Sequence, residues 1–359
     1  MNGAKNSTKY LTLLSRLLLS GDHKGGSVAD TGTGENIAEI VSALSREDFG
    51  ELWNLANSHH AMARTFPALH RVMVAEKNDR ADWVEHASVK EQARIDPPLS
   101  FLFPIGDALL GVGDLIVIKS LDRWPDLGND LDLYSNAQGS DVAAVMEDRF
   151  KACMDERSWG DRQANKWNFV VPGAPELVEV HESRLGQTGE QVAITNSLVT
   201  RSQTAKFGGR IFRVPAPEDR LILTTLQRMY RHFYLRLCDV ADNARLVDLK
   251  LIDYAYLKSL AESAGLWDAL ATYLVTVSGY VKVYRGEDLP LPWLATDAAR
   301  FGNEPGNSKR DFCESRSSRR LPLCIRVEEG ASQGRVAKHA SPELDARVGC
   351  RCGARNEAD

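Results

Sequence analysis

The sequence predicts an α+β fold, in which a mixed strand-and-helix region over residues 112–214 sits between two helical blocks, 1–111 and 215–297. Three observations lead there. Apolar residues recur at helical spacing through the first 110 positions. At Gly111 the pattern changes to short apolar runs such as "DLIVIKS" and "NDLDLYS", separated by a Trp-Pro-Asp-Leu-Gly loop. After Pro217 the helical spacing returns.

The elements can be read in order. Tyr10, Leu13, Leu14, Leu17 and Leu18 follow a 3.6-residue period and predict an amphipathic helix docked on the body. Arg16 interrupts this apolar run and no small-residue cleavage site follows it, so the segment does not read as a signal peptide. Ser45 with Asp48 three residues on reads as a capping box opening the next helix, with Leu52, Trp53, Ala56 and Met62 as its apolar stripe. "ADWVEHASVKEQARI" is a polar-faced helix that Asp96-Pro97-Pro98 is expected to stop, and a further short helix follows through "LSFLFPIGDALLG".

In the middle region, "SDVAAVMEDRFKACMDE" reads as a helix capped by Ser140, followed by strands at "KWNFVV", "ELVEVHE" and "GRIFRV". "PAPEDRLILTTLQRMYRHFYLRL" then reads as one helix, with Ile222, Leu226, Met229 and Phe233 on its apolar face. Thr224, Thr225, Arg228, Arg231 and His232 fall on the opposite, solvated face. Further helices follow to Val281. Residues 298–359 are rich in Gly, Ser, Arg and Glu without an apolar period, and read as a disordered tail.

Bulk properties exclude some classes. The net charge is −5, so no global basic surface argues for DNA binding, and no apolar run approaches the ~20 residues of a membrane span. A cytoplasmic protein is expected. Of six cysteines, Cys153 and Cys238 read as reduced thiols on helices. Cys313, Cys324, Cys350 and Cys352 crowd the tail at spacings that match no zinc ribbon or finger.

The chemistry centres on "NDLDLY". Strand alternation puts Asp130 and Asp132 on one face and Leu131 and Leu133 on the other. Two carboxylates that close repel one another, and a hard divalent cation removes that cost. In "ELVEVHE", Glu179 and His181 share a face and alternate with Val178 and Val180. If the two strands are neighbours, Glu179 completes a three-carboxylate cluster of the kind that supports metal-dependent phosphoryl or nucleotidyl transfer.

The ordered set of "VIKS", "NDLDLYS" and "LVEVH" resembles the minimal nucleotidyltransferase fold of the polymerase-beta-like superfamily, and within it a bacterial, largely uncharacterised group. "LQRMYRHFYLRLCDVAD" resembles the helix that closes that unit, so the resemblance spans about residues 112–248. It implies a mixed sheet with flanking helices, and a cytoplasmic enzyme that moves a nucleoside monophosphate from an NTP to an acceptor (small molecule, protein or RNA) with release of pyrophosphate. It implies Mg²⁺ or Mn²⁺ on Asp130, Asp132 and Glu179, and nucleotide contacts from Lys119, Ser120, Arg228 and His232. The chain departs from the family at Lys119-Ser120, where the family has glycine, and the interval from this turn to Asp130 is short.

Two other readings stand beside it. One is a non-catalytic descendant that binds nucleotide or a partner. The other is a D-x-D glycosyltransferase using a sugar nucleotide, which the helical first 110 residues disfavour. His181, Trp124 and Trp167 are expected to be structural, and Asp239, Asp242 and the His59-His60 pair to lie on the surface.

Overall fold

The computed structural model describes residues 2–19, 37–186, 191–207 and 209–299. The calls on the tail from residue 300 onward, with its four cysteines, lie outside the described residues. The architecture is α+β. Five helices come first: α1 (Asn2–Leu19), α2 (Ile37–Ser42), α3 (Arg46–Ser58), α4 (Met62–Ala75) and α5 (Ala81–Leu109). The middle region holds β1 (Leu115–Val117), β2 (Asp130–Ser135), α6 (Gly139–Phe150), β3 (Cys153–Met154), α7 (Trp159–Gln163), β4 (Lys166–Val170), β5 (Leu177–Glu182), α8 (Val192–Thr200), β6 (Gln203–Phe207) and β7 (Arg210–Val214). The last block is α9 (Pro217–Thr225), a π-helical segment (Leu226–His232), α10 (Leu237–Asp248), α11 (Tyr254–Ser263), α12 (Trp267–Arg285) and α13 (Trp293–Ala298).

Strands β1 to β5 form one mixed sheet in the order β1-β2-β5-β4-β3. Its two central strands, β2 and β5, run parallel and the other pairs run antiparallel. The strand expected at "GRIFRV" is β7, which pairs with β6 in a separate hairpin beside β1. One face of the large sheet, with Leu131, Leu133, Val178 and Val180, packs against α6 and the end of α5. The opposite side meets the last helical block through Ile116, Ile118 and Tyr134. A third apolar cluster fills the first block. Helix α1 spans from it toward α12, where the Ser15 and Tyr280 hydroxyls meet at 2.7 Å.

The capping box at Ser45 and Asp48 is present, and Leu52 and Ala56 of the expected stripe are buried while Trp53 is half-buried; Met62 is buried too, but it opens α4, because the chain breaks after Ser58 where His60 turns left-handed (φ +46°). Three other local readings are corrected. Asp96-Pro97-Pro98 does not stop the helix: α5 continues through Pro97, Pro98 and Pro104 to Leu109. Distant contacts hold that stretch. Arg94 donates to Leu127 O at 2.7 Å and Gly128 O at 3.1 Å, and Ile95, Pro98, Leu102 and Ile105 are buried, so packing outweighs the three missing N–H donors. Helix α6 begins at Gly139, one residue before the expected Ser140 cap, and ends at Phe150 because Lys151 turns left-handed (φ +53°). Cys153 therefore lies on β3 instead of a helix. The single helix expected from Pro217 is broken: after the π-helical segment, Phe233 adopts φ +58° and the residue is 58% exposed, so it leaves the apolar face.

Leu102 is fully buried beyond the prolines, in the cluster beneath the sheet. We expect Leu102→Ala to lower unfolding stability by about 2–5 kcal/mol in urea titrations, the cost of a cavity in a packed core.

Candidate active site

The parallel pairing of β2 and β5 sets Asp132 directly opposite Glu179, and Tyr134 opposite His181. With the leucines and valines committed to the core, Asp130, Asp132, Glu179 and His181 face the other way, as alternation requires. The ligand atoms of Asp132, Glu179 and His181 lie within 4.8 Å of one another. Asp130 stands one step along the strand and lines the adjoining cleft.

Two lysines reach into this cluster. Lys119 Nζ lies 2.6 Å from Asp132 Oδ1, 3.2 Å from His181 Nε2 and 3.5 Å from Glu179 Oε1. Lys166 Nζ lies 2.8 Å from Glu179 Oε2 and 2.9 Å from Asp161 Oδ1. Burial would raise the Glu179 carboxyl, but Lys119, His181 and Lys166 hold it well below the ordinary carboxylate value. Burial pushes Asp132 up to about 7 against the pull of Lys119, with the Glu179 charge adding to the rise. Burial and Lys119 push His181 down to about 4, so its imidazole is neutral. His181 Nε2 also lies 2.8 Å from Glu179 Oε1, so the same nitrogen faces an ammonium donor and a carboxylate acceptor and can satisfy only one.

The turn before β2 is built on side chains. Lys119 has φ +57°, a conformation that favours glycine, and its N–H donates to Asp122 Oδ2 at 3.0 Å. Ser120 Oγ accepts from Asp132 N at 2.8 Å and donates to Asp130 O at 3.2 Å. Its hydroxyl therefore ties the turn to β2.

Beside the acids opens a cleft of about 180 Å³ whose other wall is cationic, lined by Arg123, Arg228, Arg231, His232 and Arg236 together with His60. Arg228, expected on a solvated face, is 2% exposed, and its Nε lies 2.5 Å from Asp239 Oδ2. Arg123 Nη2 lies 2.8 Å from Asp239 Oδ1 and donates to Gln227 Oε1 at 3.0 Å. Asp239, buried, and Asp242, half-buried, are thus ion-pair partners instead of surface acids: Arg64 pairs with Asp242 at 2.9 Å and also with Asp126. Despite burial, Arg123, Arg228 and Arg236 bring the Asp239 carboxyl down to about 2. Arg231 and Arg236 have no carboxylate partner among the described residues. Burial and the neighbouring arginines lower His232 to about 4.

His59 and His60 are also buried, contrary to the surface reading. His59 Nδ1 accepts from the Leu237 N–H at 3.2 Å, which joins the α3–α4 turn to α10. His60, at φ +46°, lines the cleft. Trp167 packs beneath Arg157 and donates to Glu182 Oε2 at 2.9 Å, a structural role. Trp124 meets Phe207 edge-on and is 38% exposed.

The structure therefore brings Asp130, Asp132, Glu179, Lys119, Arg228 and His232 to one cleft, and turns the Ser120 hydroxyl onto the strand backbone. Sequence reasoning missed Arg123, His60 and Arg236 as members of the cleft, and Lys166 as a partner of Glu179. The one local signal for them was Arg123, a cation in the same turn as Lys119. No family model, no curated protein and no solved structure matches the chain.

Two outcomes follow from the buried charges. Asp239→Asn leaves Arg123 and Arg228 without their shared counter-charge, and we expect urea titration to register a loss of about 3–5 kcal/mol. His59 is neutral in the fold because burial, with Arg236, depresses its pKa from 6.5 to about 4. Its contribution is complete above pH 6.5 and is lost as pH falls toward 4, up to about 3 kcal/mol. His59→Asn keeps an acceptor and cannot titrate, so its stability should vary less with pH between 6.5 and 4 than wild type in parallel urea titrations.

Proposed function

We propose that the chain is a metal-dependent nucleotidyltransferase, which transfers a nucleoside monophosphate from an NTP to an acceptor hydroxyl and releases pyrophosphate. The observation that carries this reading is the pairing of opposites in one cleft: carboxylates on β2 and β5 form one wall, and arginines on the β1–β2 turn and the last helical block form the other. A nucleoside triphosphate with its divalent ion presents the complementary pattern, cation toward the acids and phosphates toward the arginines.

The donor set fits a divalent ion. Asp132 and Glu179 offer oxygens and His181 Nε2 is neutral and doubly contacted, while Asp130 adds a carboxylate at the cleft edge. These residues would hold Mg²⁺ or Mn²⁺, which supplies charge neutralisation at the phosphates. The depressed pKa of Glu179 suits a ligand better than a proton acceptor. Arg231 and Arg236, lacking acidic partners among the described residues, are the charges available to phosphate, while Arg123 and Arg228 are oriented by Asp239. In the reaction the acceptor oxygen bonds to the α-phosphorus as the bond to the β-phosphate oxygen breaks; pyrophosphate leaves and the hydroxyl proton passes to solvent. Alignment and charge complementarity supply most of the rate.

The Lys119 ammonium among the acids and the engaged Ser120 hydroxyl favour a second reading, a descendant that binds nucleotide without turnover. One assay separates the two. The protein is incubated with each α-labelled NTP, Mg²⁺ or Mn²⁺, and a cell extract. We expect label on a protein, RNA or small-molecule fraction with wild type, and a loss of at least about 10²–10³-fold in the Asp130→Asn/Asp132→Asn double variant, with its melting curve retained. Full activity in the double variant refutes the proposal. Metal-dependent NTP binding without label transfer selects the second reading.

A further inference from the structure

The tip of Lys119 occupies the point on which the acid cluster converges. Its Nζ contacts Asp132, His181 and Glu179, the same three residues whose ligand atoms lie within 4.8 Å of one another. An ammonium and a divalent ion cannot both stand there. The root of the side chain is fixed, because the Lys119 N–H is held by Asp122 and the next residue is tied to β2 at both Asp130 and Asp132. The four-carbon stem above that root turns freely, so the tip is the part that can move.

Among the described residues, the larger opening beside the tip is the cleft. Lys119 lines the cleft of about 180 Å³ and, on its other side, a void of about 30 Å³. In the cleft it meets Arg228 and Arg231, so with no anion present the move brings like charges together. A polyphosphate in the cleft reverses that balance. It offers the ammonium a new counter-charge and leaves the carboxylates to a metal.

Building on the metal and nucleotide reading of the site, we propose that Lys119 and the divalent ion are alternative occupants of one position, and that polyphosphate binding draws Lys119 out. The free protein then holds metal weakly, and metal and nucleotide strengthen each other's binding by equal factors. Lys119 is a positioning residue that sets the order of loading.

The test is Mn²⁺ binding to the full chain, followed by the electron paramagnetic resonance signal of the free ion, with no nucleotide present. We expect Lys119→Met to bind Mn²⁺ at least tenfold more tightly than wild type, Lys119→Arg to stay near wild type, and Asp132→Asn/Glu179→Gln to lose the site. Thermal melts give a second readout: Mn²⁺ should raise the melting temperature of Lys119→Met more than that of wild type. Lys119→Gln serves if the methionine variant does not fold. Equal Mn²⁺ affinity in wild type and the lysine variants, lost in the acid variant, overturns the inference and leaves the metal reading standing. No Mn²⁺ binding by any variant, with or without α,β-methylene-ATP, overturns the metal reading itself.

Discussion

Two carboxylates placed opposite each other on neighbouring strands, and largely withdrawn from water, cannot both stay ionised unless a cation lies between them. The β2–β5 register imposes this condition on Asp132 and Glu179, and the local structure follows from it. The register itself is not negotiable. A slip of one residue would carry Leu131, Leu133, Val178 and Val180 out of the core, which is worth several fully buried side chains. The apolar face therefore fixes the acids, and the acids recruit Lys119 from the preceding turn and Lys166 from β4. The unequal result, with Glu179 held low between two lysines and Asp132 pushed up by burial, is the behaviour of a coupled pair that shares too little positive charge.

A second layer of charge surrounds the first. Asp239 gathers Arg123 and Arg228, while Arg64 bridges Asp126 and Asp242. Buried ion pairs of this sort contribute little net stability compared with apolar packing, since desolvation offsets most of the attraction. Their effect is geometric. They join α4, the β1–β2 turn and the consecutive π-helical segment and α10 around one cleft. The π-helical stretch belongs to the same construction: it is an uncommon backbone form, found often at functional sites, and here it carries Gln227, Arg228, Arg231 and His232 to the cleft wall.

What could be read from the sequence divides along physical lines. Period-two alternation placed Asp130, Asp132, Glu179 and His181 on their faces, and the Ser45–Asp48 capping box was legible because both partners lie within one turn. Local signals failed wherever a distant partner decided the outcome. Asp96-Pro97-Pro98 reads as a stop until Arg94 finds the carbonyls of Leu127 and Gly128. Asp239 reads as a surface acid until Arg123, more than a hundred residues earlier, arrives beside it. His59 and His60 lacked any nearby partner in sequence because theirs lie on and around α10. A charge or imidazole in a helical pattern tells which way it points, not whether a counter-charge waits there.

The Lys119 turn joins these themes. Glycine would adopt the left-handed backbone there without strain and would let a phosphate approach the chain closely. Lysine accepts the strain and brings a cation that glycine cannot. With glycine at 119, Asp132 would lose its one direct counter-ion among the described residues and Glu179 would keep only Lys166 and a neutral imidazole. The strand pair would then depend on metal for its electrostatic balance. With lysine the acid cluster holds a counter-charge of its own when empty. Lysine at this position therefore does more than strain the turn. It removes the sheet's dependence on an external ion, and it does so with a side chain long enough to leave.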